Sequence, residues 1–236
     1  MDFRRRFLHR SFNKIYILLL FFSGVLSAES TKNTFKITAP DIAAVLPSVE
    51  NTLLESYQKI GVDAEIVRLP TIRSLATANN SDWVDAELVR SAELAQNLID
   101  YIMIPIPILS LSMRSYGNNV NQCFSTWESI KSSKVAFLRG FISIKSRLIK
   151  HNIEFLEVET NEQALAMLQA HRVDVIIISE KLLPETVRSR LENNKNHCMK
   201  ELEVIELYHF IRKRHQAIVP QLTQAIKESF TGKVIN

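Results

Sequence analysis

The pattern of apolar and polar residues between Asp63 and Arg90 predicts a strand, a helix and a second strand. Asp63–Leu69 alternates with β-branched residues, which is typical of a strand. Thr71 is placed to cap the helix that follows, and Val84–Leu88 predicts the next strand. Two strands joined by a helix require a parallel sheet, and ligands of such sheets bind beyond the carboxyl ends of the strands.

The alternation typical of strands and the three-to-four-residue spacing typical of helices continue along the chain, and together they predict an α/β fold. Further strands are predicted at Thr34–Ala39, Tyr101–Ile108, Lys134–Leu138, Phe155–Val158, Val173–Ile178 and Leu202–Arg212. Further helices are predicted at Pro47–Ile60, Ala92–Asn97, Thr126–Ser132, Ile142–His151, Asn161–Ala170, Lys181–Asn193 and Gln216–Ser229. Pro105 and Pro107 favour a sheet edge or a crossing between lobes over a central strand. Gly61 is expected to end the predicted helix at Pro47–Ile60. Thr160 and Gln163 are expected to cap the helix that begins at Asn161.

The first 28 residues have the composition of a secretory signal peptide. They carry five basic residues and one acidic residue, followed by the apolar segment Ile15–Leu26 and the small residues Ser27 and Ala28. That apolar segment is shorter than the roughly 20 residues that span a bilayer, although an uncleaved anchor is the alternative. We expect cleavage near Ala28 and a periplasmic protein.

The charge of the chain changes when this segment is removed. The whole chain has a formal net charge of +4. The first 28 residues account for all of it, so the remainder is formally neutral. The basic run Arg212–Arg214 is typical of a short solvated patch, and we expect no nucleic-acid partner.

Enzymatic motifs are absent from the sequence. It contains no G-x-S-x-G, no P-loop and no H-E-x-x-H, and its six histidines lack a usual metal-ligand spacing. We therefore expect neither a catalytic site nor a metal or cofactor.

Two segments have spacings that point to a known family. Residues 70–79 carry P-x-x-R-S-L-x-x-A-N, and residues 85–90 carry D-x-E-x-x-R. They resemble the corresponding segments of bacterial periplasmic solute-binding proteins with two α/β lobes, in particular the amino-acid-binding-like branch. The resemblance continues through Thr160–Ser179 and Tyr208–Lys233, and covers roughly residues 34–232.

The resemblance implies two Rossmann-like lobes joined by a two-strand hinge, the type II periplasmic binding protein arrangement. The first lobe would comprise residues 34–108 and 209–236, and the second lobe residues 109–208. It also implies a monomer that binds a small polar solute in the interlobe cleft and delivers it to a membrane permease of an ABC transporter. The alternatives are a sensing or interaction module for a membrane receptor, and a lyase or dehydratase built on the same lobes.

In the first lobe, four charged residues are candidate ligand contacts. Arg90 is the first choice for a carboxylate, because arginine offers a planar pair of donors; the alternative is a salt bridge to Glu87 or Glu93. Arg73, at the start of a helix, would point to the same edge. Asp41 and Glu87 are candidates for a ligand ammonium, or are otherwise solvated or paired charges.

In the second lobe, the candidates follow two strand ends. Residues 139–143 join a strand to a helix: Gly140 permits close backbone approach, and the helix start that includes Ser143 offers N–H groups to an anion. Arg139 would add a charge or cap the lobe edge. Glu180 follows Val173–Ile178, where the family often has an acid for a ligand amine, but it would also favour the start of the next helix.

The sequence departs from the family at two places. The first loop, A-P-D-I-A-A-V-L-P, has no aromatic residue, and the segment Ser91–Leu94 has leucine where the family has arginine. An organic acid, a peptide fragment or a polyamine therefore remains open beside an amino acid.

The chain has two cysteines, Cys123 and Cys198. In an oxidising compartment they form a candidate disulfide, because the strands that enter and leave such a lobe run side by side. Two separate thiols are the alternative.

Overall fold

The computed structural model describes residues 34–41, 46–119, 124–193 and 198–231. The predicted signal peptide and Cys123 lie outside these ranges, so the cleavage site and the disulfide stay predictions.

The described residues form eight strands, six α-helices and three short 3-10 helices. The strands are β1 (Phe35–Pro40), β2 (Ala64–Leu69), β3 (Ala86–Ser91), β4 (Tyr101–Gly117), β5 (Val135–Leu138), β6 (Phe155–Val158), β7 (Val175–Ile178) and β8 (Cys198–Arg212). The α-helices are α1 (Leu46–Lys59), α2 (Thr71–Asn80), α3 (Ile142–Lys150), α4 (Asn161–Gln169), α5 (Glu185–Asn193) and α6 (Val219–Phe230). The 3-10 helices are Ala92–Asn97, Glu180–Leu182 and Lys213–Ile218.

All eight strands belong to one sheet in the order β2-β1-β3-β8-β4-β7-β5-β6. β1 pairs in parallel with β2 and β3, and β5 pairs in parallel with β6 and β7. Between these groups, the long strands β8 and β4 run antiparallel to each other. We call the β1–β3 group with α1, α2 and α6 the first lobe, and the β5–β7 group with α3, α4 and α5 the second lobe. The predicted fold of two α/β lobes joined by two strands is confirmed.

The two joining strands, β4 and β8, form the hinge. Pro107 opposes Tyr208, and the register of the pair shifts on both sides of Pro107. β4 lies inside the sheet, so of the two interpretations of the prolines the crossing is correct and the sheet edge is wrong. The predicted strand was also too short: it was expected to end at Ile108, but β4 continues to Gly117, and its polar residues alternate with buried Leu111 and Met113.

Several element boundaries follow from local chemistry. Gly61 ends α1 with a φ of 74°, as predicted. The side chain of Thr160 accepts a hydrogen bond from the Gln163 N–H at 3.1 Å, which confirms the predicted cap of α4. Thr71, by contrast, is the first residue of α2 rather than its cap, and Pro70 precedes it without a side-chain hydrogen bond.

Two predicted helices differ from the structure. Residues 127–132 form turns instead of a helix. The predicted helix at Lys181–Asn193 is divided, because Pro184 has no N–H to continue a helix and α5 begins at the next residue.

The two lobes share their largest apolar core. This core runs from Leu53 of α1 through Leu111 and Leu207 of the hinge to Ile144 of α3. Smaller clusters lie beneath α4 and α5 in the second lobe and beside α2 in the first. The hinge strands therefore contribute side chains to a core that extends into both lobes.

The basic run Arg212–Arg214 has a structural role in place of the expected solvated one. Arg212 Nη2 donates to the backbone oxygens of Ala78 and Ser81, at 2.8 and 2.7 Å. Arg214 Nη2 donates to Asp85 Oδ1 at 2.6 Å. These contacts fix the connection between α2 and β3, and thereby the start of the strand that carries Arg90.

Candidate functional site

A small cavity lies between the two lobes, where strand ends of both meet. Its volume is about 40 Å³, room for about three waters at 10–15 Å³ each. The first lobe contributes Pro40, Thr71, Arg90 and Ser91, and the second lobe contributes residues 140–143. The remaining lining is apolar: Val89, Leu94, Leu111 and Leu207. We call this the interlobe cavity.

Arg90 is the charged side chain among these lining residues, and it is only 5% exposed. Its Nη2 lies 2.5 Å from Glu87 Oε1 and donates to the Thr71 backbone oxygen at 3.2 Å. Its Nε is buried and has no hydrogen-bond partner among the described residues. An arginine held in this way offers a fixed donor that still lacks an acceptor.

Glu87 is fully buried behind Arg90 and is held from several sides. The Ser74 hydroxyl donates to its two carboxylate oxygens at 2.8 and 3.0 Å, and the Thr38 hydroxyl donates to Oε2. The carboxylate is thus occupied by groups of the first lobe. Of the two sequence interpretations of Glu87, pairing within the protein is the one that this geometry matches.

The loop of the second lobe approaches the first lobe at Gly140. This residue has a φ of 96°, in the region that favours glycine. A Cβ at this position would lie 2.7 Å from Thr71 Cγ2. Only glycine fits so close an approach, and the two lobes therefore touch directly at one wall of the interlobe cavity.

An ion pair also joins the lobes nearby. Arg147 of α3 pairs through Nη2 with Glu93, in the 3-10 helix that follows β3. Its Nε donates to Glu203 of β8 at 3.2 Å. This pair and the contact between Thr71 and Gly140 both connect the two lobes in the structure.

Ser143 is buried and lines the interlobe cavity, as Arg90 and Gly140 do. The other five sequence candidates, Glu87 among them, lie outside the lining. Arg73 and Asp41 are exposed. Arg139 pairs with Glu159 and, at 3.9 Å, with Glu157.

Glu180 lies at a different surface. It accepts hydrogen bonds from Arg114 Nη1 at 2.9 Å and from the Tyr116 hydroxyl at 2.8 Å. Burial, and then the hydrogen bond to Glu180, raise the pKa of Tyr116. Glu180 lines a larger groove of about 540 Å³, bordered by Ser110, Ser112 and Arg114 of β4, by residues 179–181 and by Arg188 of α5. We call this the hinge groove; it shares no lining residue with the interlobe cavity.

The structure brings three polar residues to these two surfaces that were not among the sequence candidates. Thr71 and Ser91 line the interlobe cavity, and Ser179 lines the hinge groove. The hydroxyls of Ser91 and Ser179 are buried without a hydrogen-bond partner among the described residues. Ser91 is the last residue of β3, and Ser179 directly follows β7. A position at the end of an apolar strand was therefore the signal available for finding them.

Beside Arg90, a buried histidine connects the first lobe to the hinge. His209 Nδ1 donates to the Leu88 backbone oxygen at 3.2 Å, and its Nε2 accepts from the Tyr57 hydroxyl at 2.7 Å. Burial lowers the pKa of His209 to about 4. Burial also raises the pKa of Tyr57. Both groups are neutral at ordinary pH.

Within the described part of the chain, histidine, cysteine and acidic residues nowhere gather in a group of three suited to a metal ion. None of the helices in residues 34–231 that the structure describes has the length and apolar character needed to cross a membrane.

No protein-family model matches the chain, and no curated protein matches it. Among solved structures, it is similar to the amino acid ABC transporter substrate-binding protein AbpA from Streptococcus pneumoniae Canada MDR_19A, bound to L-arginine. That likeness has 15% identity and a TM-score of 0.61, and it covers 86% of this chain and 90% of that one.

Two more solved structures are similar at the same level. The GluR0 ligand-binding core in complex with L-glutamate shares 14% identity with a TM-score of 0.66, over 86% of this chain and 94% of that one. A mutant of ArgBP from T. maritima shares 12% identity with a TM-score of 0.63, over 85% and 90%. The chain has the fold of type II periplasmic binding proteins.

Proposed function

We propose that the protein binds a small polar solute through a carboxylate in the interlobe cavity and presents it to a membrane transporter. The observation that carries the proposal is the lining of that cavity. It brings Arg90 of the first lobe and the loop 140–143 of the second lobe to one small cavity.

The chemistry of the lining suits a carboxylate. Arg90 has a buried Nε–H without an acceptor among the described residues, and charge-assisted hydrogen bonds to carboxylates are stronger than neutral ones. Ser91 and Ser143 add hydroxyls, and the first turn of α3 leaves backbone N–H groups outside the helical ladder. A solute oxygen would satisfy donors contributed by both lobes.

The class of carboxylate follows from what the lining lacks. Two of the similar structures described above are complexes with L-arginine and L-glutamate. In this chain, no described residue of the lining is an acid, and Glu87 is already held by Thr38, Ser74 and Arg90. An ammonium would find no carboxylate among the described lining residues, which favours an organic acid over an α-amino acid.

Binding requires the lobes to separate first. Sites for small molecules have volumes of about 300–1,000 Å³, far above the 40 Å³ of the closed interlobe cavity. An open state would admit the solute, and contacts from both lobes would then stabilise a closed state around it. The size of this population shift is limited by the difference in affinity for the two states.

The location and partner follow from the same proposal. Residues 1–28 would direct the protein to the periplasm, where a permease would recognise the closed form. The oxidising compartment would allow a bridge between Cys123 and Cys198. Gly117, six positions before Cys123, opposes Cys198 in the pair of β4 and β8. The protein would act as a monomer.

An enzymatic role has less support. A lyase on this fold would need a general acid or base in the cleft, and Glu87 and Glu180 are the residues to consider for that role. Glu87 is enclosed by its partners, and Glu180 lines the hinge groove. We therefore propose a binding protein.

A protein-interaction module for a membrane receptor is the second candidate. The observation that favours it is the direct contact of Thr71 with Gly140, which leaves little space between the lobes. Such a module would bind a membrane protein and would respond to no small solute.

The test is a thermal-melting panel of organic acids, amino acids, peptides and polyamines on the purified protein. We expect one carboxylate to raise the melting temperature according to its concentration and dissociation constant. Arg90→Lys keeps the charge beside Glu87 but loses the planar donor pair, and should weaken binding at least tenfold. The exposed control Arg73→Lys should bind as the wild type does. Absence of any response would favour the interaction module.

A further inference from the structure

We propose that the hinge groove is a second solute site, which binds a small molecule through an oxyanion, either a carboxylate or a phosphate group. The proposal goes beyond the function of the interlobe cavity, since the two share no lining residue. Every residue that lines the groove belongs to the hinge strands or to the second lobe.

The size of the hinge groove is that of a small-molecule site. Its volume of about 540 Å³ lies inside the range of about 300–1,000 Å³ that such sites occupy. Its walls come from four separate segments: β4, the residues that follow β7, α5, and Val204 of β8. A solute seated there would touch the hinge and the second lobe together.

Two buried polar atoms in the lining lack a hydrogen-bond partner among the described residues. They are the hydroxyl of Ser179, which is only 3% exposed as a residue, and Nε of Arg188. Buried polar groups without a partner are rare in folded proteins, so each calls for an explanation. Both atoms can donate a hydrogen bond, and an acceptor oxygen in the groove would satisfy them.

The charges of the lining favour an anion. Three cationic side chains, Arg114, Lys181 and Arg188, face two acidic ones, Glu180 and Glu192. The two oxygens of Glu180 are bound by Arg114 and Tyr116. Arg188 Nη2 donates to the Glu180 backbone oxygen at 3.2 Å, and its Nη1 lies 3.6 Å from the exposed Glu185. Among the described lining residues, cations therefore outnumber acids by three to two, beside the two donors that lack a partner in the described part of the chain.

The experiment measures binding of inorganic phosphate and, separately, of succinate to the purified protein by calorimetric titration. Arg188→Gln removes a lining cation from a half-exposed position on α5 and should weaken binding at least tenfold. Arg190→Gln is the matched control: it removes the same charge from an exposed position two residues further along the same helix. It should leave the dissociation constant unchanged within about twofold.

Ser179→Ala gives a second variant that does not depend on charge. Removing a hydroxyl that has no partner should not lower the melting temperature of the unligated protein, but should weaken binding several-fold. Arg90→Lys separates the two sites and should leave the affinity of the hinge groove unchanged. Whichever of phosphate and succinate binds identifies the group. Binding of neither, equal losses in the two arginine variants, or a loss in Arg90→Lys would overturn the proposal.

Discussion

The two lobes differ in the kind of polar side chain that they bury. Among the described residues, the first lobe and its hinge segments bury Glu50, Glu87, Arg90 and His209, whereas the polar residues buried in and beside the second lobe are Ser115, Ser143 and Ser179. The ion pairs of the second lobe are partly exposed. In the pair of Arg114 with Glu180, for example, the side chains are 30% and 40% exposed, against 5% and 0% for Arg90 with Glu87.

This difference suggests a division of work between the lobes. A buried polar network whose members are hydrogen-bonded is rigid, because any displacement leaves a charge or dipole unpaired in a low dielectric. Exposed pairs are screened by water and break at little cost. In our account the first lobe holds Arg90 in place, and the second lobe, with its loop at Gly140, moves toward it.

The strongest test of this contrast is to remove one carboxylate from each lobe. Glu87→Gln leaves Arg90 buried without its counter-ion and should lower the free energy of unfolding by about 3–5 kcal/mol. Glu180→Gln, in the exposed pair, should cost less than about 1 kcal/mol. Urea unfolding of both variants measures the difference. Equal losses would show that burial does not distinguish the pairs.

A pH titration probes the buried side of the comparison at His209. Its pKa is lowered to about 4, below the usual 6.5, so the unfolded chain binds the proton first as the pH falls. The free energy of unfolding should therefore be constant above about pH 6.5 and decrease by about 2 kcal/mol between about pH 6.5 and pH 5.

The variant that checks this assignment is His209→Gln, in which most of the decrease should disappear. His171→Asn is its control: His171 is exposed and has a φ of 54°, which asparagine tolerates, so the decrease should persist. A decrease of the same size in His209→Gln would assign the pH dependence to other groups.

Two glycines sharpen the comparison at the contact between lobes. Gly140→Ala and Gly61→Ala both place a side chain at positive φ, which costs about 1–2 kcal/mol in each. Only at Gly140 would the new Cβ meet Thr71, since nothing lies within 4 Å of the corresponding position at Gly61. Gly140→Ala should also weaken solute binding about tenfold, roughly 1.4 kcal/mol. Equal solute affinities in the two variants would show that the contact between Gly140 and Thr71 does not contribute to binding.

The smallest effect is expected at the ion pair between lobes. Glu93→Gln removes the partner of Arg147, whose side chain is 32% exposed, and should weaken solute binding less than about threefold. The effect should vanish at high salt, because exposed charges are screened. Glu159→Gln removes an exposed pair inside the second lobe and should leave the affinity unchanged at every salt concentration.

Much of the fold could be predicted because it follows from the spacing of apolar residues and from capping residues within short segments. The alternation in β1 and β2, the glycine at residue 61 and the cap at Thr160 all act within a few residues. The length of β4 was missed, because its outer face carries serines and an arginine that look like loop residues when the partner strand is unknown. The shared core was missed for a similar reason: it depends on how the lobes pack.

The candidate site was accessible from the sequence only in part. Arg90, Gly140 and Ser143 were selected from strand ends and a helix start, and they line one cavity. The position of Glu180 depends on the direction in which the chain turns after β7. No local sequence pattern predicts that direction. The partners of Glu87 come from β1 and α2, 49 and 13 residues away along the chain. Contacts at such separations require the assembled sheet.

The most direct measurement follows the Nε–H groups of the arginines by ¹⁵N nuclear magnetic resonance while the solute found in the melting panel is added. Our account predicts that the Arg90 signal moves and saturates with the binding curve, because its Nε gains an acceptor, while the signal of exposed Arg73 stays in place. A solute that saturates the protein without moving the Arg90 signal would contradict the account.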